Sequence, residues 1–166
     1  MIKTIKGNLL FLLDNNEIDF IFHCCNDKAI MGAGLAKQLV EFWPKVGVAD
    51  RAAAKNFSNF QGNYSCAEVK QGKFVYNLYG QTLGNEDGRN VNYETLYKAT
   101  DLGLKSVSRY AETHGKQRVG LPLRMGSDLA GGDWRIVCAI IEVLAEKYDK
   151  NIDIIIVRWD KSIYSS

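Results

Sequence analysis

Hydrophobic and polar positions along the chain follow two rhythms. Met1-Ile2-Lys3-Thr4-Ile5-Lys6 alternates like a strand, and Ile18-Asp19-Phe20-Ile21-Phe22-His23-Cys24-Cys25 is a nearly continuous apolar run, the pattern of a central strand covered on both faces. Leu35, Leu39 and Phe42 recur at helical spacing until Pro44 stops the pattern, and residues 48–57 supply a second, alanine-rich helix; together they predict a helical hairpin. Residues 65–70 and 73–78 flank Gln71-Gly72, a tight turn between antiparallel strands. From Tyr93 to Tyr110 a helical face is marked by Leu96, Ala99, Gly103, Val107 and Tyr110, with Gly103 predicting a close packing contact and the polar Thr113-His114-Gly115-Lys116 ending the element. Residues 118–121 read as a short strand, Ile136, Ile140, Val143 and Leu144 as the buried stripe of a further helix, and residues 151–159 as a strong closing strand. Apolar strands alternating with helices predict an α/β fold with a mixed sheet covered on both sides.

Two glycine-rich segments interrupt this pattern. Met31-Gly32-Ala33-Gly34-Leu35-Ala36 and Gly126-Ser127-Asp128-Leu129-Ala130-Gly131-Gly132-Asp133-Trp134 each follow a short apolar run and each open onto a helix. A helix start carries unpaired N–H groups and a partial positive charge, and glycine lets a ligand approach them, so the two segments together predict a clamp for a diphosphate. Asp133 sits where a carboxylate caps the following helix. A dinucleotide fingerprint is excluded, because Lys37 stands where its third glycine belongs and about six residues separate strand end from first glycine. A Walker A loop is excluded because no G-x-x-x-x-G-K-[ST] occurs.

Composition narrows the ligand class. The 166 residues fit one domain with a core that needs neither disulfides nor metals, and the 46% apolar and 24% charged fractions are those of a soluble globular protein. The first residues lack the apolar stretch of a secretion signal, and no apolar run reaches the roughly 18 residues of a membrane span; the expected location is the cytoplasm, with no membrane partner. Cys24, Cys25, Cys66 and Cys138 have no C-x-x-C spacing and read as reduced core thiols. His23 and His114 lie far apart without a ligand pattern, so no metal is expected. The net charge of +2 comes from interspersed residues rather than a basic cluster, which favours a small molecule in a cleft over a polyanion.

Lys6-Gly7-Asn8-Leu9-Leu10, His23-Cys24-Cys25-Asn26 with the first glycine segment, and Leu129-Ala130-Gly131-Gly132-Asp133-Trp134, in this order over nearly the whole chain, resemble the macrodomain family. The Gly-Gly-Asp-Trp ending, with Asn77-Leu78-Tyr79-Gly80-Gln81 and Asn92-Tyr93-Glu94-Thr95-Leu96, is similar to the branch of ADP-ribose 1''-phosphate phosphatases and single-domain ADP-ribosyl hydrolases. The resemblance implies a three-layer α/β/α sandwich whose cleft binds ADP-ribose without a cofactor. It implies Asn8 near the adenine, Asn26 on the distal ribose, Gly32, Ala33, Gly34 and Leu35 as the first diphosphate loop, and Gly126, Ser127, Asp128 and Leu129, continuing to Ala130, as the second. The chain departs from the family at two points. Gly80-Gln81 stands where hydrolases acting through a lysine adduct carry lysine, so the likeness does not extend to that route, and Asp128 replaces a common glycine.

The activity implied is hydrolysis of the distal-ribose substituent, foremost the 1''-phosphate monoester. Release of ADP-ribose from modified protein or nucleic acid, and non-catalytic reading of ADP-ribose, are the alternatives. The candidates for water activation and proton transfer are Asp133, Asp128 and His23. Each has a plainer reading: Asp133 as a helix cap, Asp128 as a solvent-facing loop carboxylate, and His23 as a core histidine with a satisfied hydrogen bond. Tyr79 and Gln81 at a strand end are further cleft candidates. Trp134 and Tyr93 read as packing residues, Trp134 under the second segment and Tyr93 at the start of its helix.

Overall fold

The computed structural model describes residues 1–26, 31, 34–56, 61–82, 90–127 and 131–160. In chain order the elements are β1 (Ile2–Gly7), α1 (Leu9–Asp14), β2 (Phe20–Cys25), α2 (Gly34–Phe42), α3 (Pro44–Asn56), β3 (Tyr64–Lys70), β4 (Lys73–Tyr79), β5 (Gln81–Thr82), β6 (Asn90–Val91), α4 (Tyr93–His114), β7 (Gln117–Pro122), α5 (Trp134–Lys147) and β8 (Ile152–Trp159). Six strands form one sheet in the order β1-β8-β7-β2-β4-β3, with β5 and β6 a separate short ribbon. The first five in that order run parallel, and β3 pairs antiparallel with β4 across the 71–72 turn, where Gly72 takes φ +71°.

Alternation along the strands sorts the core into two faces. Phe20, Phe22, Ile152, Ile154 and Ile156 pack with Leu96, Ala99 and Val107 of α4 and Val137, Ile141 and Leu144 of α5. Ile21, Val75, Ile155 and Val157 face the opposite way, onto the leucines of α1, Leu39 of α2 and Val46 of α3. The result is the three-layer α/β/α sandwich with a mixed sheet. Gly103 meets the sheet closely, since a Cβ there would lie 3.0 Å from the Phe22 ring, and α4 packs on β2 through this gap.

Several boundaries differ from the periodicity reading, each for a physical reason. The six-residue α1 is too short to be stable alone. It persists because Leu9, Leu10, Leu12 and Leu13 are buried, at about 1.5–3 kcal/mol for each fully buried leucine. Pro44 does stop α2, yet it also starts α3, since a missing N–H costs nothing in a first helical turn. Phe42 is half exposed, leaving Leu39 as the buried residue of α2. On α5 the expected stripe holds at Leu144 and at half-buried Ile140, but Ile136 and Val143 are 43% and 57% exposed, and Val137, Ile141 and Ala145 face the core instead. The cysteines also divide, with Cys25 buried but Cys66 on the surface. Burial pushes the Cys24 thiol up to about 12 and Cys25 well above its ordinary value, so both stay protonated at neutral pH. No helix among the described residues is long and apolar enough to cross a membrane.

Candidate functional site

After β2 the chain travels towards β4 on one side, and after β7 towards β8 on the other, although β2 and β7 are paired neighbours. Such a divergence opens a crevice at the carboxyl ends of parallel strands, the usual ligand position in an α/β sheet. Both glycine segments leave the sheet here, one after Cys25 and one after Pro122. A cleft of about 270 Å³ occupies this edge, lined by Gly7, Leu9, Leu35, Gln38, Pro122, Leu123, Val157 and Trp159. Leu35 belongs to the first glycine segment, and Pro122 and Leu123 lead into the second, so residues from both regions border one space.

The two helix starts differ electrostatically. No acidic residue occupies the first turn of α2, which begins at Gly34 with φ +58°. The start of α5 is already occupied by a carboxylate: Asp133 Oδ1 accepts the Arg135 N–H at 2.9 Å as a cap and the Arg135 Nε–H at 3.1 Å, while Arg135 Nη2 donates to Oδ2 at 2.8 Å. The Arg135 hydrogen bonds hold this carboxyl below the usual carboxylate range, so it is ionised at neutral pH. Neither helix holds an acidic residue in its first turn, and Asp133 caps α5 from the position before it.

The second segment is instead shaped by its backbone. Arg124, Gly126 and Gly131 take φ of +67°, +74° and +73°, and the Gly132 N–H donates to the Gly126 carbonyl at 3.0 Å, closing the turn at its base. A Cβ on Gly132 would lie 2.5 Å from that carbonyl oxygen, which excludes any larger residue without moving the chain. Ser127 is buried, and its hydroxyl has no hydrogen-bond partner among the described residues. An orphaned buried hydroxyl costs on the order of 1–3 kcal/mol, and a ligand oxygen would relieve it.

The remaining candidates divide. Asn8 is buried beside the lining residues Gly7 and Leu9, with Oδ1 accepting the Leu10 N–H at 2.7 Å as the cap of α1. Asn26 is half-buried immediately after β2. Gly32, Ala33, Asp128, Leu129 and Ala130 lie outside the described residues. His23 is only 2% exposed and sits under α3, its Nε2 2.6 Å from Asn77 Oδ1. The Asn77 amide donates to Val46 O and Ser65 Oγ, which leaves its oxygen as acceptor and gives His23 the Nε2–H tautomer. Burial lowers its pKa to about 4 despite the Asn77 bond, so it is a neutral, buried group at neutral pH. Tyr79 is likewise fully buried, donating to Asp50 Oδ1 at 2.8 Å rather than lining the cleft.

Periodicity did not mark Trp159, Gln38, Gly7, Pro122, Leu123 and Val157 as cleft residues. Trp159 is 46% exposed at the end of β8. An aromatic residue breaking the aliphatic run of a strand was the available signal. Among the described residues no group of three or more His, Cys, Asp or Glu side chains is arranged to hold a metal.

No family model matches the chain. An uncharacterised 17.5 kDa protein of the tk-vs intergenic region of Enterobacteria phage T4 is 28% identical, over 96% of this chain and 97% of its own. Among solved structures, the macrodomain of Mycobacterium tuberculosis DarG superposes with a TM-score of 0.72 at 20% identity, covering 95% of this chain and 97% of that one. Thermosipho africanus DarTG in complex with ADP-ribose superposes at 0.69 and 17% identity, over 93% of this chain and 41% of the larger protein. At these identities the likeness is one of architecture, and it is specific: the chain has the macrodomain fold.

Proposed function

We propose that the protein binds ADP-ribose derivatives in the carboxyl-edge cleft and hydrolyses the substituent on the distal ribose, foremost the 1''-phosphate monoester. The observation that carries this reading is that Leu35 of the first glycine segment borders the same cleft as Pro122 and Leu123, which lead into the second. The ADP-ribose complex of the similarly folded Thermosipho protein supports the ligand class. Trp159, with Leu9, Leu35 and Val157, offers an aromatic and aliphatic wall suited to a flat base. The first turn of α2, without an acidic residue, suits one phosphate, and the Ser127 hydroxyl, unpartnered among the described residues, suits the other.

In this reading water is the nucleophile. Asn26 orients the distal ribose, and Asp133, ionised and at the rim of the second turn, orients the water, with Asp128 the second candidate. His23 holds β2 against β4 through Asn77 and touches no substrate. Pre-positioning of water and phosphate, rather than a covalent adduct, supplies the rate enhancement. The pairing of Asp133 with Arg135 favours a second reading, a binder that recognises ADP-ribose without turnover.

The test is calorimetric titration with ADP-ribose alongside incubation with ADP-ribose 1''-phosphate, ADP-ribosylated protein and ADP-ribosylated nucleic acid. Phosphate release with the first substrate, reduced more than tenfold in Asp133→Ala while ADP-ribose affinity changes less than threefold, is the expected result. Tight binding without product from any substrate selects the binder, and release from a macromolecule alone selects an ADP-ribosyl hydrolase.

A further inference from the structure

The turn at 126–132 leans on the first turn of α4 and on the strand before it. The Asp133 N–H, at the point where the turn becomes helix, donates to Tyr93 Oη at 2.8 Å. Val91 of β6 fills the space beneath both ends of the turn: Cβ atoms built on Gly126 and Gly132 would meet its methyl carbons at 3.4 and 2.6 Å. Leu96, one turn along α4, lies 3.3 Å from the same Gly126 position and also abuts Gly80 at the end of β4. The Asn92 N–H donates to the Gly80 carbonyl at 2.9 Å, and Asn92 Oδ1 caps α4 through Thr95, so this support is itself fixed to the sheet.

We infer that Tyr93 is a positioning residue for ligand binding: its hydroxyl anchors the second turn through the Asp133 amide, with Val91 as the apolar support beneath. The inference rests on the proposed ADP-ribose reading and assigns the cause of the turn's shape to residues outside it. Without the Tyr93 oxygen, the Asp133 N–H loses its partner and the two ends of the turn, Gly126 and Gly132, are free to tilt away from Val91, carrying Ser127 with them. The effect falls on the phosphate-bearing part of the ligand, because the cleft around Trp159 is built from β1, α1, α2, β7, β8 and the chain just after β7, and contains neither Tyr93 nor Val91.

The experiment compares wild type, Tyr93→Phe and Val91→Ala by calorimetry with ADP-ribose and by NMR titration with adenosine, which carries no phosphate. Tyr93→Phe is expected to weaken ADP-ribose about fivefold, the equivalent of one ordinary hydrogen bond, while adenosine affinity moves less than twofold. Val91→Ala, which removes the support without touching a hydrogen bond, is expected to give the same ranking. ADP-ribose affinity unchanged in both variants, or adenosine weakened as much as ADP-ribose, overturns the positioning role while leaving the functional reading standing. A wild-type protein that binds no ADP-ribose overturns both, and the two failures are distinguished by the wild-type titration alone.

Discussion

The two edges of the central sheet are built to opposite rules. At the amino edge, Asp19 precedes β2 between the starts of β7 and β4, and accepts from the Arg118 N–H, Nε–H and Nη2–H at 2.8–3.1 Å and from Lys73 Nζ at 2.7 Å. Burial alone pushes this carboxyl up, but the Arg118 and Lys73 hydrogen bonds outweigh it and hold it below the usual range. At the carboxyl edge, by contrast, the cleft is lined by Gly7, Gln38, Pro122, aliphatic side chains and the half-exposed Trp159, with no charged residue among its described lining. The sheet thus ends in an ion-paired network on one side and in an uncharged recess on the other. Positive φ marks neither edge, since Asn16, Gly72 and Gly115 take it before β2, β4 and β7 as Arg124, Gly126 and Gly131 do after β7.

That contrast is easiest to break at the amino edge. Asp19→Ala leaves two cations without their partner and is expected to lower the unfolding free energy by about 3–5 kcal/mol, read by urea denaturation, with ADP-ribose affinity unchanged where the variant stays folded. Equal losses of stability and affinity would show that the two edges are not independent. The reciprocal change is Gly132→Ala, whose Cβ would strike the Gly126 carbonyl oxygen. It should cost about 1–2 kcal/mol of stability yet weaken ADP-ribose more than tenfold in calorimetry. Trp159→Ala should weaken ADP-ribose about tenfold, within the 1–3 kcal/mol of a base stacked on an aromatic ring, and leave the thermal midpoint within about 1 °C. An unaltered affinity would remove the base from that wall.

Acid separates the two edges by pH window. His23 has its folded pKa depressed to about 4 by burial, so its contribution is complete above its ordinary value of 6.5. That contribution is lost as pH falls towards 4, because the unfolded chain then binds a proton that the folded one does not. Asp19, also depressed, contributes above its ordinary value of 3.8 and loses that contribution only in stronger acid. Urea denaturation between pH 7 and 4.5 should therefore show stability falling by up to about 1.4 kcal/mol per pH unit at the steepest point. His23→Gln should flatten that slope and Asp19→Ala should not.

How much of this was legible depended on how many faces an element buries. β2 and β8, buried on both sides, read as uninterrupted apolar runs, and the long α4 repeated its stripe often enough to fix the buried face. On α5 two adjacent apolar rows compete, Ile136-Ile140-Val143 against Val137-Ile141-Leu144, and periodicity does not rank rows about 100° apart. α1 is too short to show a period, and its cap Asn8 came to light only in the structure. The glycine segments were visible because unusual backbone geometry demands an unusual residue. Trp159 was not, because its facing the cleft depends on β8 lying between β1 and β7, which no local pattern encodes. His23 and Tyr79 misled for a related reason: a polar residue near a strand end points to solvent or into a layer according to parity, and α3 covers both.

The parallel pairing of β1 with β8 sets Gly7 opposite Trp159, so the first and last strands together supply opposite flanks of one recess. A contact of such long sequence separation forms late, after its loop-closure entropy has been overcome. β2, β4 and their helices can therefore associate before the recess between Gly7 and Trp159 exists, because that recess needs β1 and β8 to meet.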